Sequence, residues 1–276
     1  MSPLAYSCRV PTVLLVRHGR TAANASGTLA GWTPGIGLDD TGRGQAEAVG
    51  ARIAAAGLSI VRIVASPLQR CQETAATIVA LAALGIPVGI DDRLGECRYG
   101  AWTGRKLGEL LKEDLWRTVQ DQPSAVRFPD GDDFPGESMA GMQSRALEVV
   151  REVDAQVAAE HGKDAIWVAV SHGDVIKAIL ADAAGAHLDQ FQRIQADPAS
   201  VSVVRYTSRR PFLIRSNDTG GDLASLVPPP PKEGAEKEGA DKEGADEEGA
   251  AAVDAVPDDG DAVVGGGPGS LSGAVG

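Results

Sequence analysis

Two histidines and two arginines stand where short apolar runs end. The run Thr12-Val13-Leu14-Leu15-Val16 leads directly into Arg17-His18-Gly19, and Ala165-Ile166-Trp167-Val168-Ala169-Val170 leads into Ser171-His172-Gly173. A third strand candidate, 60–65, gives way to Ser66-Pro67-Leu68-Gln69-Arg70. Taken alone, a strand-end imidazole reads equally well as a satisfied core residue. The group reads differently. A neutral imidazole is a competent nucleophile, and guanidinium forks match the oxygens of a dianionic phosphoryl group while staying charged at any working pH. Asn24 places an amide in the same loop as His18. The chemistry these residues suit together is phosphoryl transfer.

The elements that must position them follow from periodicity. After the first strand, the Gly-rich stretch 19–40 is too irregular for a periodic element, and a loop of that length inside a compact domain is commonly functional. Thr41 suits a helix N-cap, and Ala46, Val49 and Ile53 give a helical face that Gly57 closes. A helix is predicted over 68–84 and a short strand over 86–90. Between Asp91 and Gly136 the alternation breaks into what reads as an insertion over one end of a sheet. Met139, Met142, Ala146, Val149, Val150, Val153 and Val157 then hold one apolar face of a long helix. The run 165–170 has the continuous apolarity of a central strand covered on both faces, a helix follows over 175–180, and strands over 201–206 and 212–214 close the fold. This order predicts an α/β three-layer sandwich, a central mostly parallel sheet flanked by helices, with sites outside the carboxyl ends of its strands.

The chain's acidity is not spread evenly. The last 60 residues carry 3 Lys against 14 Asp and Glu, net −11, which leaves the first 216 near −1 of the chain's −12. The expected organisation is therefore a catalytic domain over 1–216 and a disordered Pro-, acid- and Gly-rich tail over 217–276, whose pentad Lys-Glu-Gly-Ala repeats offer no apolar surface to offset ordering. A solvated tail is the preferred reading, with docking to a basic partner as the alternative. A near-neutral core with an acidic tail argues against nucleic-acid binding. The run 10–16 is too short to span a bilayer and lacks a cleavage pattern, and three widely spaced cysteines suggest no disulfide framework. A soluble cytoplasmic protein is expected. His161 and His187 lack ligand spacing and read as surface residues, and no metal or cofactor is expected.

Arg17-His18-Gly19 with Thr21 and Asn24, Gly31-Trp32, Ser66-Pro67 with Arg70 and Thr74-Ala75, Leu94-Gly95-Glu96 with Tyr99-Gly100, and Ser171-His172-Gly173 occur in this order over about 12–206. Together they resemble the histidine phosphatase superfamily, the phosphoglycerate-mutase-like proteins. The resemblance implies that His18 attacks phosphorus to give a phosphohistidine. Arg17, Arg70 and His172 would bind the equatorial oxygens, Asn24 would add a neutral donor, and Glu96 would be the general acid, its pKa raised toward working pH. Gly31, Tyr99 and Gly173 would border the substrate, a small phosphorylated metabolite, and a homodimer is compatible with the family. His18 must keep its attacking nitrogen unprotonated, which requires the other ring nitrogen to donate, as to a backbone carbonyl.

Departures from the glycolytic mutases bear on substrate. Cys97 follows the acid where an Arg would stand, Arg98 comes one place later, Arg117 and Arg127 are far apart, and Ala30 precedes Gly31. These favour a metal-independent phosphomonoester phosphatase, with a phosphomutase as the alternative and a non-catalytic phosphate-binding module as the reading from another class. Trp32, Tyr99 and Trp102 could face the leaving group or pack the core; Met139 and Met142 are expected in the core, and Cys97 as a small filler of the pocket wall.

Overall fold

A computed structural model describes residues 10–221 and 262–268. Its strands are β1 (Thr12–Arg17), β2 (Ile60–Ala65), β3 (Val88–Ile90), β4 (Ile166–Ser171), β5 (Val201–Tyr206) and β6 (Pro211–Asp218). They form one sheet in the order β3-β2-β4-β1-β5-β6. The pairs β2·β3, β2·β4 and β1·β4 are parallel, while β5 runs antiparallel to both β1 and β6. The helices are α1 (Ala22–Ala25), α2 (Asp40–Ala55), α3 (Gln69–Leu81), α4 (Leu107–Leu110), α5 (Asp114–Asp121), α6 (Met139–His161) and α7 (Gly173–Ala183).

The pleat divides the apolar residues of each strand between two cores. Val13 and Leu15 of β1, Trp167 and Ala169 of β4, and Val204 of β5 join the faces of α6 and α7. Leu14 and Val16, with Ile63, Val168 and Val170, join Val49 and Ile53 of α2 and Ala75 and Ile78 of α3. Two covered faces make the three layers that the patterning predicts. The α2 and α3 backbones approach closely at Gly50, where a Cβ would lie 2.9 Å from Leu81 Cβ.

The details that differ have local causes. Helix α2 is capped by Asp39, whose carboxylate accepts from Gly42 N at 2.7 Å, so Thr41 lies inside the first turn instead of at the cap. Helix α3 begins at Gln69 and ends at Leu81, and β3 is trimmed to three residues. The insertion 91–136 packs an aromatic group: Trp102 stacks on Trp116 with centroids 6.2 Å apart, and Phe128 meets both Trp102 and Tyr99 edge-on. Trp102, Met139 and Met142 are core residues.

The boundary expected at 216 shifts. Strand β6 runs through Asp218, which pairs with Arg52 at 2.6 Å, and Asn217 donates to Asp197 at 2.9 Å. Residues 262–268, within the expected tail, pack against the domain, with Val264 only 1% exposed. Apolar burial of that side chain is the reason the composition argument misplaces them. The rest of the expected tail, and Cys8, lie outside the described residues; Cys71 and Cys97 are buried free thiols. Among the described residues no helix is long and apolar enough to cross a membrane.

Candidate active site

Three adjacent strands, β2, β4 and β1, end level with one another. The register pairs Arg17 with Ser171 and Ala65 with Val170, and it continues past the strands as His18 N donating to Ser171 O at 3.0 Å and Ser66 N to Val170 O at 3.0 Å. Backbone pairing therefore brings His18, Ser66 and His172 to one edge, and the first turn of α3 carries Arg70 to the same place. Gly19 sits where β1's exit loop presses on α2: a Cβ there would lie 2.3 Å from Gly42 O.

His18 is buried, and its Nδ1 lies 2.7 Å from Gly19 O. That contact makes Nδ1 the donor and leaves Nε2 unprotonated, its lone pair an acceptor. Arg70 Nε donates to Nε2 at 3.3 Å. Burial, then the charges of Arg70 and Arg17, hold the His18 pKa well below 6.5. The imidazole is neutral with Nε2 unprotonated, the state a nucleophile needs. His172 meets His18 edge-on, with ring centroids 5.1 Å apart. Its Nε2 is 2.8 Å from Ser66 Oγ, and it too is held neutral by burial and the charge of Arg70.

The guanidiniums are buried and only partly satisfied. Arg70 Nη2 donates to Gly31 O at 2.9 Å, and Arg17 Nη1 to Ala196 O at 2.8 Å. Arg70 Nη1 and Arg17 Nε have no hydrogen-bond partner among the described residues. Buried donors without partners are costly and suit an arriving anion. Asn24 lies on the cavity wall, its side-chain oxygen taken by Thr21 N at 3.1 Å and Thr21 Oγ1 at 2.9 Å, which leaves its amide –NH2 for the cavity.

Glu96 enters from the insertion, 3% exposed, with Oε2 3.8 Å from His172 Nδ1 and Oε1 accepting from Cys97 N at 2.9 Å. Desolvation, then the charge of Asp174, push its pKa up from 4.5 to about 7, against the opposing charge of Arg70. Its loop is clamped. Arg145 of α6 donates to Arg93 O at 2.7 Å, Gly95 O at 2.8 Å and Glu96 O at 2.9 Å, and Trp32 Nε1 donates to Glu96 O at 2.6 Å. Ser171 Oγ adds a bond to Leu94 O at 2.7 Å.

Each residue singled out from the sequence is therefore placed. His18, Arg17, Arg70, Glu96 and His172 converge, and Asn24, Gly31 and Tyr99 border a cavity of about 860 Å³. Tyr99 is a core residue whose hydroxyl donates to Asp174 Oδ2 at 2.8 Å. Gly173 is the first residue of α7, and a Cβ there would lie 3.4 Å from Arg17 Nε. Trp32 supports the acid's loop, with the Arg98 guanidinium 4.1 Å above its ring, and Cys97 packs by Met139. His161 and His187 are exposed, beside Glu160 and Asp189. Two residues are additions to the sequence reading. Asp174 immediately follows His172-Gly173, and its signal was that adjacency. Arg145 sits mid-helix and gave no signal.

A profile of the Histidine phosphatase superfamily (branch 1) matches residues 13–219. A bifunctional protein of Mycobacterium tuberculosis is 31% identical over 220 residues, which are 75% of this chain and 54% of that protein, so the chain spans about half the length of the first curated relatives it matches. Glucosyl-3-phosphoglycerate phosphatase of Mycolicibacterium vanbaalenii is 33% identical, over 66% of this chain and 78% of the relative. A 2,3-bisphosphoglycerate-dependent phosphoglycerate mutase of Caulobacter vibrioides is 29% identical, over 62% and 79%. Among solved structures, a mycobacterial glucosyl-3-phosphoglycerate phosphatase in complex with VO3 superposes with a TM-score of 0.64 at 23% identity, covering 75% of this chain and 99% of that one, a likeness of fold. Motif order, sheet order and profile match agree, and the chain belongs to the histidine phosphatase superfamily.

Proposed function

We propose that the protein is a phosphomonoesterase that acts on a small phosphorylated metabolite through a phosphohistidine on His18. The observation that carries this is the protonation geometry of His18: Nδ1 is committed to Gly19 O, while Nε2, unprotonated, faces Arg70 in the same pocket as the Glu96 carboxyl. In the first step Nε2 attacks phosphorus and the bond to the ester oxygen breaks. Glu96, protonated, gives its proton to that oxygen. Arg17, Arg70 and His172 hold the remaining oxygens, where charge accumulates in a loose transition state. In the second step the Glu96 carboxylate takes a proton from water, the oxygen attacks phosphorus, and the P–N bond breaks to release phosphate and restore neutral His18. A pKa near 7 lets one carboxyl serve both steps.

Hydrolysis is favoured over transfer between sugar-acid phosphates by what lines the cavity. Arg70 and Lys106 are the cations on its wall among the described residues. Arg117 and Arg127 are exposed elsewhere and Arg98 is stacked on Trp32, so no arginine pair grips a free carboxylate. A purely binding role has no use for a buried proton-exchanging carboxyl. The test is phosphoenzyme labelling, quenched with detergent at alkaline pH, and turnover of a chromogenic phosphomonoester in wild type and His18→Ala, with chelator present, followed by product analysis on phosphorylated metabolites. Wild type should form an acid-labile phosphoenzyme and release inorganic phosphate, and His18→Ala should do neither. Native-rate hydrolysis by His18→Ala would refute the mechanism, and product isomers without phosphate release would replace hydrolysis by transfer.

A further inference from the structure

The groups assigned above to phosphate already hold oxygen atoms, and these come from the chain itself. Arg17 Nη1 donates to Gly267 O at 3.0 Å, and Nη2 donates to Gly266 O at 3.1 Å and Gly265 O at 3.4 Å. Three carbonyl oxygens around one guanidinium are the neutral counterpart of a phosphoryl group's oxygens on the same fork. The segment is anchored on the N-terminal side of that contact. Gln120 brackets Ala262, its Nε2 donating to Ala262 O at 3.0 Å and its Oε1 accepting from Ala262 N at 2.9 Å. Gly265 N donates to Asp174 Oδ2 at 3.0 Å. Val264 is buried in the same apolar core as Leu29 and Tyr99. Gly266 N closes a turn onto Val263 O at 3.0 Å.

The glycines are fitted to the place. Gly265 and Gly266 have φ of +75° and +77°, a region that side chains disfavour. A Cβ on Gly265 would lie 2.8 Å from Leu29 Cδ1, and one on Gly266 would lie 2.8 Å from Arg17 Nη1. Backbone and guanidinium meet closely only because no side chain intervenes. Forty residues, 222–261, join this segment to the domain, and at about 3.3 Å per extended residue they leave its reach unconstrained.

We propose that residues 262–268 are an intrasteric plug, a glycine turn of the chain's own tail whose carbonyls compete with the substrate's phosphoryl oxygens for Arg17. The proposal rests on the reading of Arg17 as a phosphate ligand. Plugged and substrate-bound states are then mutually exclusive, and the plugged enzyme has a weakened affinity for phosphate oxyanions until the segment leaves. Any partner that captures the tail would raise activity without touching the domain.

The experiment compares the full wild-type chain with full-length Val264→Asp, which puts a charge in the apolar seat, and Gln120→Ala, which removes the outer bracket. A chain ending at Gly221 is the third comparison. Calorimetry with orthovanadate reads the site without turnover, and p-nitrophenyl phosphate kinetics read it with turnover. Vanadate affinity should rise at least about tenfold in all three forms, and KM should fall in step with kcat unchanged or higher. A synthetic peptide of residues 261–269 should compete with vanadate in the chain ending at Gly221. Equal vanadate affinity in all four proteins, or weaker affinity once the segment is removed, would overturn the plug. Tighter vanadate binding with no hydrolysis by any form would sustain the plug and remove the hydrolase reading instead.

Discussion

Replacing Glu96 by Gln removes a titration that the fold makes unfavourable. In the folded protein the carboxyl is raised from 4.5 to about 7, first by desolvation and then by the charge of Asp174, whereas the unfolded chain ionises it near 4.5. Between those values the folded state binds a proton that the unfolded state has released, so stability falls as pH rises. The group's contribution is fully present below about 4.5 and is lost as pH passes through about 7. That interval corresponds to about 3 kcal/mol, and the side chain is too buried for solvent to screen it. Glutamine keeps an oxygen for Cys97 N, so the hydrogen bond survives the change. His18 and His172, held neutral in the fold, tilt both proteins' curves the opposite way, since their unfolded forms take protons as pH falls below 6.5. That tilt cancels in the difference. Urea unfolding across this range should show Glu96→Gln equal to wild type at acid pH and more stable by about 3 kcal/mol at about pH 8. The same variant should lose about 10²- to 10⁴-fold in kcat/KM, which reports phosphorylation, on alkyl phosphates, whose leaving oxygen needs a proton, and far less on p-nitrophenyl phosphate, while the shared discharge step slows with both. Stability curves that run parallel at every pH would refute the buried-proton argument. An equal loss of kcat/KM on both substrates would refute the acid role.

Two other perturbations test the scaffold around the site. Arg145→Lys removes the fork that spans Arg93 O, Gly95 O and Glu96 O, and should lower stability by about 2 kcal/mol and kcat on alkyl phosphates by at least about tenfold with KM little changed; an unchanged kcat would remove Arg145 as a positioning residue. Gly19→Ala forces a Cβ against Gly42 O and should destabilise the domain by about 2–4 kcal/mol, read from urea midpoints, and an unchanged midpoint would mean the α2 contact is slack.

What could be read from the sequence divides by physical range. The strand ends were legible because an apolar run that stops on Arg-His or Ser-His breaks its own pattern, and the sheet then places neighbouring ends together. Glu96 was legible only through the family's motif order, since an acid in an irregular loop carries no periodicity. Arg145 was hidden because a mid-helix arginine looks like a solvated residue until its loop partners are known. The cap at Asp39 in place of Thr41 was a choice between two oxygen-bearing side chains two positions apart, decided by which one reaches Gly42 N. The segment 262–268 was misread for the same reason on a larger scale. Val-Val-Gly-Gly-Gly-Pro has the composition of a linker, and its partners Gln120, Asp174 and Arg17 are scattered along the chain.

The levelled ends of β1, β2 and β4 have a consequence for how the protein comes apart. His18, Arg17 and His172 hang from backbone amides in the centre of the sheet, between two cores, where exchange with solvent requires opening of the whole domain. Glu96 hangs instead from an insertion tied to the sheet by Ser171 and to α6 by Arg145, side-chain bonds that can open without unpairing a strand. Partial opening of that insertion separates the proton donor from an intact phosphate cradle. On the proposed mechanism such a form still accepts a phosphoryl group from an ester with a good leaving group but no longer discharges it, so brief heating below the global transition should accumulate phosphoenzyme before it abolishes activity.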